Sequence, residues 1–353
     1  MEGAFDRGAN PGGRIGIIGA GAVGSALAVA LAARGARVIA VCARQRQHAE
    51  RLAERIPSCH ARKTPAEVAR ASDLVFVATP DDAIASIAVL PIWRAGQGVV
   101  HLSGAVGVER LAGARQRGAW TAALHPLMTF PARLRDASVE DILAWLAGVT
   151  WALEAPDATL AETLRQLVAT LDGRTITLTA ADRAPYHLAA VLASNYVVGL
   201  LGAAVALWEG FGVAPEDTLM ALLPLVRASV ENLAQVGLPA ALTGPLARGD
   251  LSTIAAHLAW LRTHTLPAEQ APGMGTTPQP DTVSGSETSD DTTRRETLAA
   301  LNEAYIALAR LTIPLAQAKG TLSDEMAQKI RAALTLQAVY AALNRPRPTE
   351  AVK

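Results

Sequence analysis

Short apolar runs alternate with amphipathic segments over the first half of the chain, from Arg14 to about residue 180. The runs are brief and bounded by polar or glycine-containing turns, which is typical of buried strands. They are residues 14–19, 37–43, 74–78, 98–102, 120–124, 150–153 and 175–178. Helical patterns, such as 23–34 and 158–171, fall between several of them. This alternation predicts an α/β fold with a doubly wound, mostly parallel sheet covered by helices on both faces.

The strand signal disappears after residue 180, and long helical patterns take its place. They cover 183–211, 215–236, 251–261, 297–318 and 323–343. The pattern predicts a sheet domain over 14–180 and an all-helical domain over 181–345. Residues 267–296 are rich in Pro, Gly, Ser, Thr and Asp, and they offer too little apolar surface to order themselves. We predict a disordered surface insertion there.

One helical stretch, Leu188–Trp208, carries no charged residue over about twenty positions and is long enough to span a membrane. Ser194 and Asn195 lie in its middle, and no basic cluster flanks it. A core helix of a soluble protein has the same composition. We therefore expect a helix that is buried between other helices and at a dimer interface, and no membrane partner.

Composition narrows the function classes further. The 353 residues fit two domains, and half of them are hydrophobic. Acidic and basic residues balance at 32 each, which does not favour a nucleic-acid or anionic-membrane partner. The two cysteines form neither a disulfide framework nor a metal-ligand cluster, so no metal is expected. The first residues lack the apolar core of a signal peptide, and the expected location is the cytoplasm.

A glycine motif follows the first predicted strand and opens the first predicted helix. It reads Gly19-Ala20-Gly21-Ala22-Val23-Gly24, the G-x-G-x-x-G pattern of dinucleotide-binding units. Gly19 allows a tight turn, Gly21 lets the backbone approach a pyrophosphate, and Gly24 allows close packing of helix on strand. The free N–H groups of the helix would face the phosphates. The motif predicts a Rossmann domain that binds a dinucleotide.

The second strand ends without the acid that holds the ribose of NAD. It ends instead in Arg44, with Arg46 two positions later. An arginine at this place pairs well with a 2′-phosphate, which favours NADP over NAD. The other interpretation is that both arginines are solvated surface charges.

The carboxyl ends of the later strands carry further polar residues, and ligands bind beyond these ends in doubly wound sheets. Thr79 and Pro80 are expected to line the nicotinamide side of the cleft. Ser103 either donates to a substrate carbonyl or caps a turn. His125 is either a proton donor or a buried, satisfied histidine, whereas His101 lies within its strand and is expected to be structural.

The predicted helical domain adds three candidates. His187 and Asn195 are polar groups on an apolar helix, so each either bonds to a neighbouring helix or faces a cleft. Arg248 follows the turn Thr243-Gly244-Pro245 and either holds a substrate carboxylate or pairs with Asp250.

Taken in order, these motifs resemble a known family. GAGAVG, LVFVATPDDAI, HLSGA, LHPLMTF, DRAPYHLAAVLASN and ALTGPLARGD follow one another as in the Rossmann-like proteins that carry the domain of unknown function 2520. The resemblance covers about 14–266 and resumes near Tyr305. The family is similar in architecture to ketopantoate reductase, pyrroline-carboxylate reductase and the deazaflavin-dependent NADP reductases. The resemblance implies NADP and a helical, dimer-forming second domain, but no substrate.

This sequence departs from those proteins in two places. The 267–296 segment is an addition to the family pattern, and no lysine occupies 181–200, where the better-known reductases have a catalytic one. Our first hypothesis is an NADPH-dependent reductase of a small, anionic carbonyl or imine compound. In it His125 or His187 supplies the proton, and Ser103, Asn195 and Arg248 orient the substrate. The alternative is a binding protein that senses NADP without catalysis.

Overall fold

A computed structural model describes residues 12–264 and 289–343. The chain divides into two compact units, of which the first ends at Asn195 and the second begins at Tyr196. The sequence places this boundary at 180/181. The helix that starts at Arg183 belongs to the first unit because its side chains bond to residues of the sheet.

The first unit is built on an eight-stranded sheet in the order β3-β2-β1-β4-β5-β6-β7-β8. All neighbouring strands are parallel except β6 and β7. The doubly wound, mostly parallel α/β fold is thereby confirmed. The strand absent from the sequence prediction is β3, which is only two residues long. The strands are β1 Arg14–Ile18, β2 Arg37–Cys42, β3 His60–Ala61, β4 Leu74–Val77, β5 Gly98–His101, β6 Trp120–Pro126, β7 Thr150–Glu154 and β8 Arg174–Thr177.

Helices cover both faces of this sheet. Along β4, Leu74 and Phe76 belong to one apolar cluster, and the alternating Val75 and Val77 belong to another. A strand that is buried on both faces is apolar at successive positions, which explains the uninterrupted run in the sequence. The helices are α1 Ala22–Ala33, α2 Arg46–Glu54, α3 Pro65–Ala71, α4 Asp81–Ala88, α5 Ala112–Gln116, α6 Val139–Leu146, α7 Ala158–Thr170 and α8 Arg183–Ala193.

The antiparallel end of the sheet extends beyond the edge at which the parallel strands finish. His101, the last residue of β5, is paired with Ala123, and Ala123 is paired with Glu154, the last residue of β7. Strand β6 continues past this level to Pro126, and β7 returns from there. We call this part of β6–β8 the overhang. It brings the end of an antiparallel strand to the carboxyl edge of the parallel ones.

The second unit is helical in the part of the chain that the structure describes. Its centre is a buried apolar cluster that includes Ile254, Ile306, Ile313 and Ile330. Beside it a buried amide pair joins two helices, because Gln337 Nε2 donates to Asn302 Oδ1 over 2.8 Å. The helices are α9 Asn195–Glu209, α10 Pro215–Val236, α11 Pro245–Arg248, α12 Leu251–His264, α13 Ser289–Ala318 and α14 Asp324–Leu343.

The long apolar stretch is not buried within the chain, contrary to the sequence prediction. It is interrupted at Ser194, where α8 ends, and α9 begins at the next residue. Leu188 is 55% exposed and Val198 is 71% exposed. The described chain contains two helical stretches, Ala180–Glu209 and Glu296–Ala318, that could cross a membrane by length and composition, a weak criterion that core helices also meet.

The predicted insertion at 267–296 lies mostly outside the described residues. Its last residues, 289–296, belong to the start of α13 rather than to a loop.

Candidate functional site

The glycine motif forms the turn that the sequence predicts. Gly19 adopts φ +111°, and a Cβ at this position would lie 2.3 Å from the carbonyl oxygen of Ala78. A Cβ on Gly24 would lie 2.1 Å from the carbonyl oxygen of Gly19. Contacts this short exclude a side chain at both positions, and the positive φ of Gly19 further disfavours any residue but glycine there. They fix the distance between β1, β4 and the start of α1.

Gly21 differs, because a Cβ there would have no heavy atom within 4 Å. Packing within the chain therefore does not require glycine at this position. Gly21 is the N-cap of α1 and has no side chain that could accept a hydrogen bond from the first turn. The first turn also contains no acidic residue. Ala22 and Val23 stand in that turn, where backbone N–H groups lack partners inside the helix. The arrangement offers donors and positive dipole to an anion.

A cleft of about 640 Å³ opens at this edge of the sheet. Its wall joins the glycine turn to the ends of β2 and β4 and to the segment after β3. Among the described residues that line it are two cations, Arg44 and Lys63, one histidine, His48, and one acid, Asp82. The lining is Ile18, Gly19, Ala20, Gly21, Cys42, Ala43, Arg44, Gln45, His48, Lys63, Pro65, Ala78, Thr79, Pro80, Asp82, Ala83 and Ile87.

The cleft fits a dinucleotide phosphate on two observations. The hydroxyl of Thr79 is buried without a hydrogen-bond partner among the described residues, and a buried polar atom is costly unless something bonds to it. Above Gly21 there is open space where a side chain would otherwise project. Thr79 and Pro80 both line the cleft, and their placement on a nicotinamide side stays a prediction.

The two arginines after β2 have different surroundings. Arg44 lines the cleft. Arg46 does not, and its Nε donates to Glu50 Oε1, one turn later in α2, over 2.6 Å. The side chain of Arg46 is 64% exposed. Arg46 therefore fits the solvated surface role, and Arg44 is the stronger candidate for a phosphate ligand.

Beyond the cleft, the end of β5 forms a hydrogen-bonded turn around Ser103. The backbone N–H groups of Ala105 and Val106 donate to Ser103 Oγ over 3.2 and 3.3 Å. The N–H of Ser103 donates to Nδ1 of the buried His101, whose Nε2 donates to the carbonyl of Gly107 over 3.0 Å. Burial lowers the pKa of His101, consistent with a neutral ring. His101 is structural, as expected, and Ser103 caps the turn with its own hydroxyl proton still available.

A buried ion pair holds α8 to the sheet. Arg183 donates through Nη2 to Glu154 Oε2 over 2.5 Å, and through Nη1 to the carbonyl of Ser103 over 3.3 Å. The two side chains are 5% and 10% exposed. Glu154 is within reach because the overhang brings the end of β7 to the level of β5. The helix start is further fixed by a capping box between Thr179 and Asp182.

This attachment brings Tyr186 to His125. His125 Nδ1 and the Tyr186 hydroxyl are 2.7 Å apart. The rings meet edge to face, with centroids 5.7 Å apart. The other side of the imidazole lies against Gly104, where a Cβ would be 2.7 Å from Nε2. Any side chain at position 104 would therefore collide with the ring on its Nε2 side.

The surroundings keep both groups uncharged near neutral pH. The pKa of His125 is lowered to about 4, mainly by burial and also by the nearby charges of His187 and Arg183. Burial raises the pKa of Tyr186 to about 12. His125 therefore does not change charge near neutral pH, contrary to our expectation for a histidine proton donor.

The remaining candidates lie at different places. His187 is near enough to His125 to affect its titration. Asn195 is exposed at the first residue of α9. Arg248 is the exposed last residue of α11, and its charge acts on Asp250, the residue that caps the start of α12. We place His125, His187 and Ser103 in one group of the first unit. Asn195 is the last residue of that unit, and Arg248 belongs to the second unit.

Three further residues are hydrogen-bonded into the group around His125, and the sequence did not predict them. They are Tyr186, Arg183 and Glu154. The motif DRAPYHL contains Arg183 and Tyr186, of which Tyr186 is the residue directly before the predicted candidate His187. A polar aromatic residue beside a histidine at a helix start was the available signal. Nothing local marks Glu154.

Two family models match separate parts of the chain. One is described as a Rossmann-like domain and matches residues 8–126. The other is the domain of unknown function 2520 and matches residues 149–271. No functionally curated protein matches the chain.

Solved structures share the fold at low sequence identity. A candidate NADP oxidoreductase from Bacteroides fragilis is 22% identical with a TM-score of 0.60, over 86% of this chain and 99% of its own. An imine reductase from Pseudomonas sp. is 18% identical with a TM-score of 0.53, over 92% of this chain and 100% of its own. A reductive aminase from Aspergillus terreus, in complex with NADPH and ethyl-5-oxohexanoate, is 16% identical with a TM-score of 0.50, over 95% of this chain and 96% of its own. The two family matches confirm the resemblance found in the sequence to the Rossmann-like proteins that carry the domain of unknown function 2520, and the solved structures share their fold.

Proposed function

We propose that the chain is an NADPH-dependent oxidoreductase that reduces a small, anionic carbonyl or imine compound. The observation that carries the proposal is the cleft at the glycine turn, with Arg44 in its wall and the unpartnered Thr79 hydroxyl. The backbone from Gly19 to Gly24 would hold the pyrophosphate, and Arg44 would hold the 2′-phosphate. Bound NADPH supplies a hydride.

The group around His125 is the proposed reaction site. It lies at the same strand edge as the cleft, and Asp81, which follows Pro80 of the cleft lining, acts electrostatically on His125. Ser103 has a free hydroxyl proton with which to orient a substrate oxygen or nitrogen. His125 and His187 offer ring nitrogens. Asn195 and Arg248 remain predicted substrate ligands, and the anionic nature of the substrate rests on Arg248.

The solved relatives support the reaction class. One is described as a reductive aminase in complex with NADPH and an oxo ester, and another as an imine reductase. Carbonyl and imine compounds accept a hydride at carbon in the same way, so both substrate classes belong to the proposal. At 16–18% identity these two structures support the class of reaction and not a particular substrate.

Calorimetry followed by a turnover assay tests the proposal. The purified chain should bind NADPH more tightly than NADH, and NADPH absorbance should fall with at least one member of a panel of 2-oxo acids and cyclic imines. Tighter binding of NADH would contradict the cofactor assignment. NADPH binding without turnover of any panel member would favour the sensor function that the sequence leaves open.

We further propose that a second copy of the chain covers the exposed helices, giving a cytoplasmic homodimer. Of the 22 residues of α10 only Thr218 is buried, although the helix carries exposed large side chains such as Met220, 71% exposed, and Leu225, 64% exposed. Apolar surface of this extent is normally covered in a soluble protein. The dimer is also what the family resemblance implies.

A further inference from the structure

The hydrogen bond between His125 and Tyr186 can run in either direction, and its direction determines which ring nitrogen of His125 carries the proton. A neutral imidazole carries one proton, on either Nδ1 or Nε2. The Tyr186 hydroxyl is a donor whose recorded partner in the described chain is Nδ1 of His125. If that hydroxyl donates to Nδ1, the ring proton lies on Nε2. This tautomer satisfies the phenol proton at a partly buried position, and the opposite one leaves it to find another acceptor.

Gly104 makes the same tautomer useful. The space that a Cβ would fill at this position lies 2.7 Å from Nε2, so any larger residue would block that atom, which makes no hydrogen bond to the described residues. Tyr186 occupies the opposite side of the ring, at Nδ1. One nitrogen of the imidazole thus bonds to a proton source, and the other is open to a small molecule.

We propose that His125 and Tyr186 form a proton relay, in which Nε2 of His125 protonates the reduced substrate while Tyr186 returns a proton to Nδ1. The inference rests on the proposed reductase function and names the group that supplies its proton. As hydride adds to the substrate carbon, the π electron pair moves to the substrate oxygen or nitrogen, which takes the Nε2 proton. The electrons of that N–H bond stay on the ring, and Nδ1 takes the phenol proton.

The relay leaves a neutral imidazole with its proton on Nδ1 and a tyrosinate. The Nδ1 proton then returns to Tyr186 while Nε2 takes one proton from water, which replaces the proton given to the substrate. It explains how a histidine that is uncharged at neutral pH can still deliver a proton. The charged and titratable groups that act on His125 are His187, Arg183, Asp81 and His101. Arg183 also opposes the rise in the pKa of Tyr186, so its cation favours the tyrosinate.

The first test needs no substrate. Long-range proton–nitrogen NMR on the ¹⁵N-labelled full chain reports which ring nitrogen carries the proton, and His125→Gln assigns the signals. We expect His125 to be neutral with its proton on Nε2 at pH 7. In Tyr186→Phe the Nδ1 signal should move towards that of a nitrogen without a hydrogen bond. A wild-type proton on Nδ1, or an unchanged Nδ1 signal in the variant, would overturn the relay.

The chain offers a matched control in its second unit. There His257 Nδ1 and the Tyr305 hydroxyl are 3.1 Å apart, and the rings again meet edge to face, with centroids 5.8 Å apart. Tyr305→Phe removes the same atom from a similar pair. It should leave the His125 signals and turnover unchanged, which separates the relay from a general effect of losing a tyrosine hydroxyl.

The second test compares two kinds of substrate. Reduction of pyruvate requires a proton on oxygen, whereas reduction of an N-methylated cyclic iminium ion requires none. Tyr186→Phe should lower kcat by about 10²-fold or more on a 2-oxo acid and by less than about threefold on the iminium ion. Equal losses on both would overturn the relay. NADPH binding by the variant, measured separately, should stay near that of wild type; failure of wild type itself to bind NADPH would count against the proposed function.

Discussion

Nη2 of Arg183 and Oε2 of Glu154 are 2.5 Å apart, and both side chains are almost fully buried. A buried ion pair contributes little over an apolar pair, but removal of one partner leaves the other charge without compensation. We expect Arg183→Met to lower the free energy of unfolding by about 3–5 kcal/mol. Adding Glu154→Leu should recover part of the loss, as measured by urea denaturation in a double-mutant cycle.

The exposed pair of Arg34 and Asp172 provides the control. Its atoms are also 2.5 Å apart, but its side chains are 40% and 62% exposed. Arg34→Met should cost less than about 1 kcal/mol. Equal losses at the two sites would show that burial does not decide the strength of the Arg183 pair.

The cofactor preference should depend on Arg44. Loss of one charge-assisted hydrogen bond costs about 1.5–3 kcal/mol, so Arg44→Ala should weaken NADPH binding about ten- to a hundredfold. NADH binding should barely change. Arg46→Ala removes an arginine that is already paired with Glu50, so the affinity for NADPH should change by less than about threefold. Calorimetry that ranks Arg46 above Arg44 would reverse the assignment.

Two glycines of the motif should respond differently to alanine. At Gly24 the new Cβ would lie 2.1 Å from a carbonyl oxygen, so Gly24→Ala should lower the melting temperature by several degrees or prevent folding. At Gly21 the new Cβ meets nothing within 4 Å, so the melting temperature should stay near wild type while NADPH affinity falls. A Gly21→Ala variant with full NADPH affinity would argue against pyrophosphate binding at this turn.

The free energy of unfolding should fall as the pH is lowered from about 6.5 to about 4, because His125 takes up its proton at a lower pH in the folded chain than in the unfolded chain. The folded pKa is about 4, below the ordinary value of 6.5, so the unfolded chain binds more protons between these limits. The contribution of neutral His125 is full above about pH 6.5 and is lost towards pH 4, with an upper bound of about 3 kcal/mol. Urea denaturation at pH 7 and pH 5 should show this slope. His125→Gln should reduce it, and the remainder should reflect His101, whose pKa is also lowered.

The proposed dimer makes the exposed face of α9 sensitive to charge. Val198→Asp should convert a dimer to monomers in light scattering, because a carboxylate would be desolvated in the interface. Val89→Asp, at a valine 61% exposed in the first unit, should leave the dimer intact. A wild-type monomer at micromolar concentration, or recovery in the membrane fraction after a salt wash, would contradict the proposal.

The sheet was predictable because its central strands are apolar on both faces and are separated by helical patterns. Leu74–Val77 is such a strand, and each of its side chains is buried. The glycine turn was predictable because three positions within one short segment define its shape. The exposure of Leu188 and Val198 was not predictable, since an apolar composition indicates that a helix is covered but does not indicate whether the same chain covers it.

The reaction site was less predictable than the cleft, because its contacts join distant parts of the sequence. His125 and Tyr186 are 61 residues apart, and Ser103 and Arg183 are 80 residues apart. The position of Glu154 follows from the register of the antiparallel pair, which no local pattern specifies. The low pKa of His125 follows from burial by these same elements.

The overhang also has a consequence for substitutions. Residues 18–87 supply the lining of the cofactor cleft, whereas Glu154 and Tyr186 belong to the part of the chain that begins with β7. The two family matches divide the chain in the same way, at 8–126 and 149–271. Under the proposed function, substitutions in the later segment would alter the surroundings of Tyr186 and Glu154 and leave the lining of the cleft unchanged.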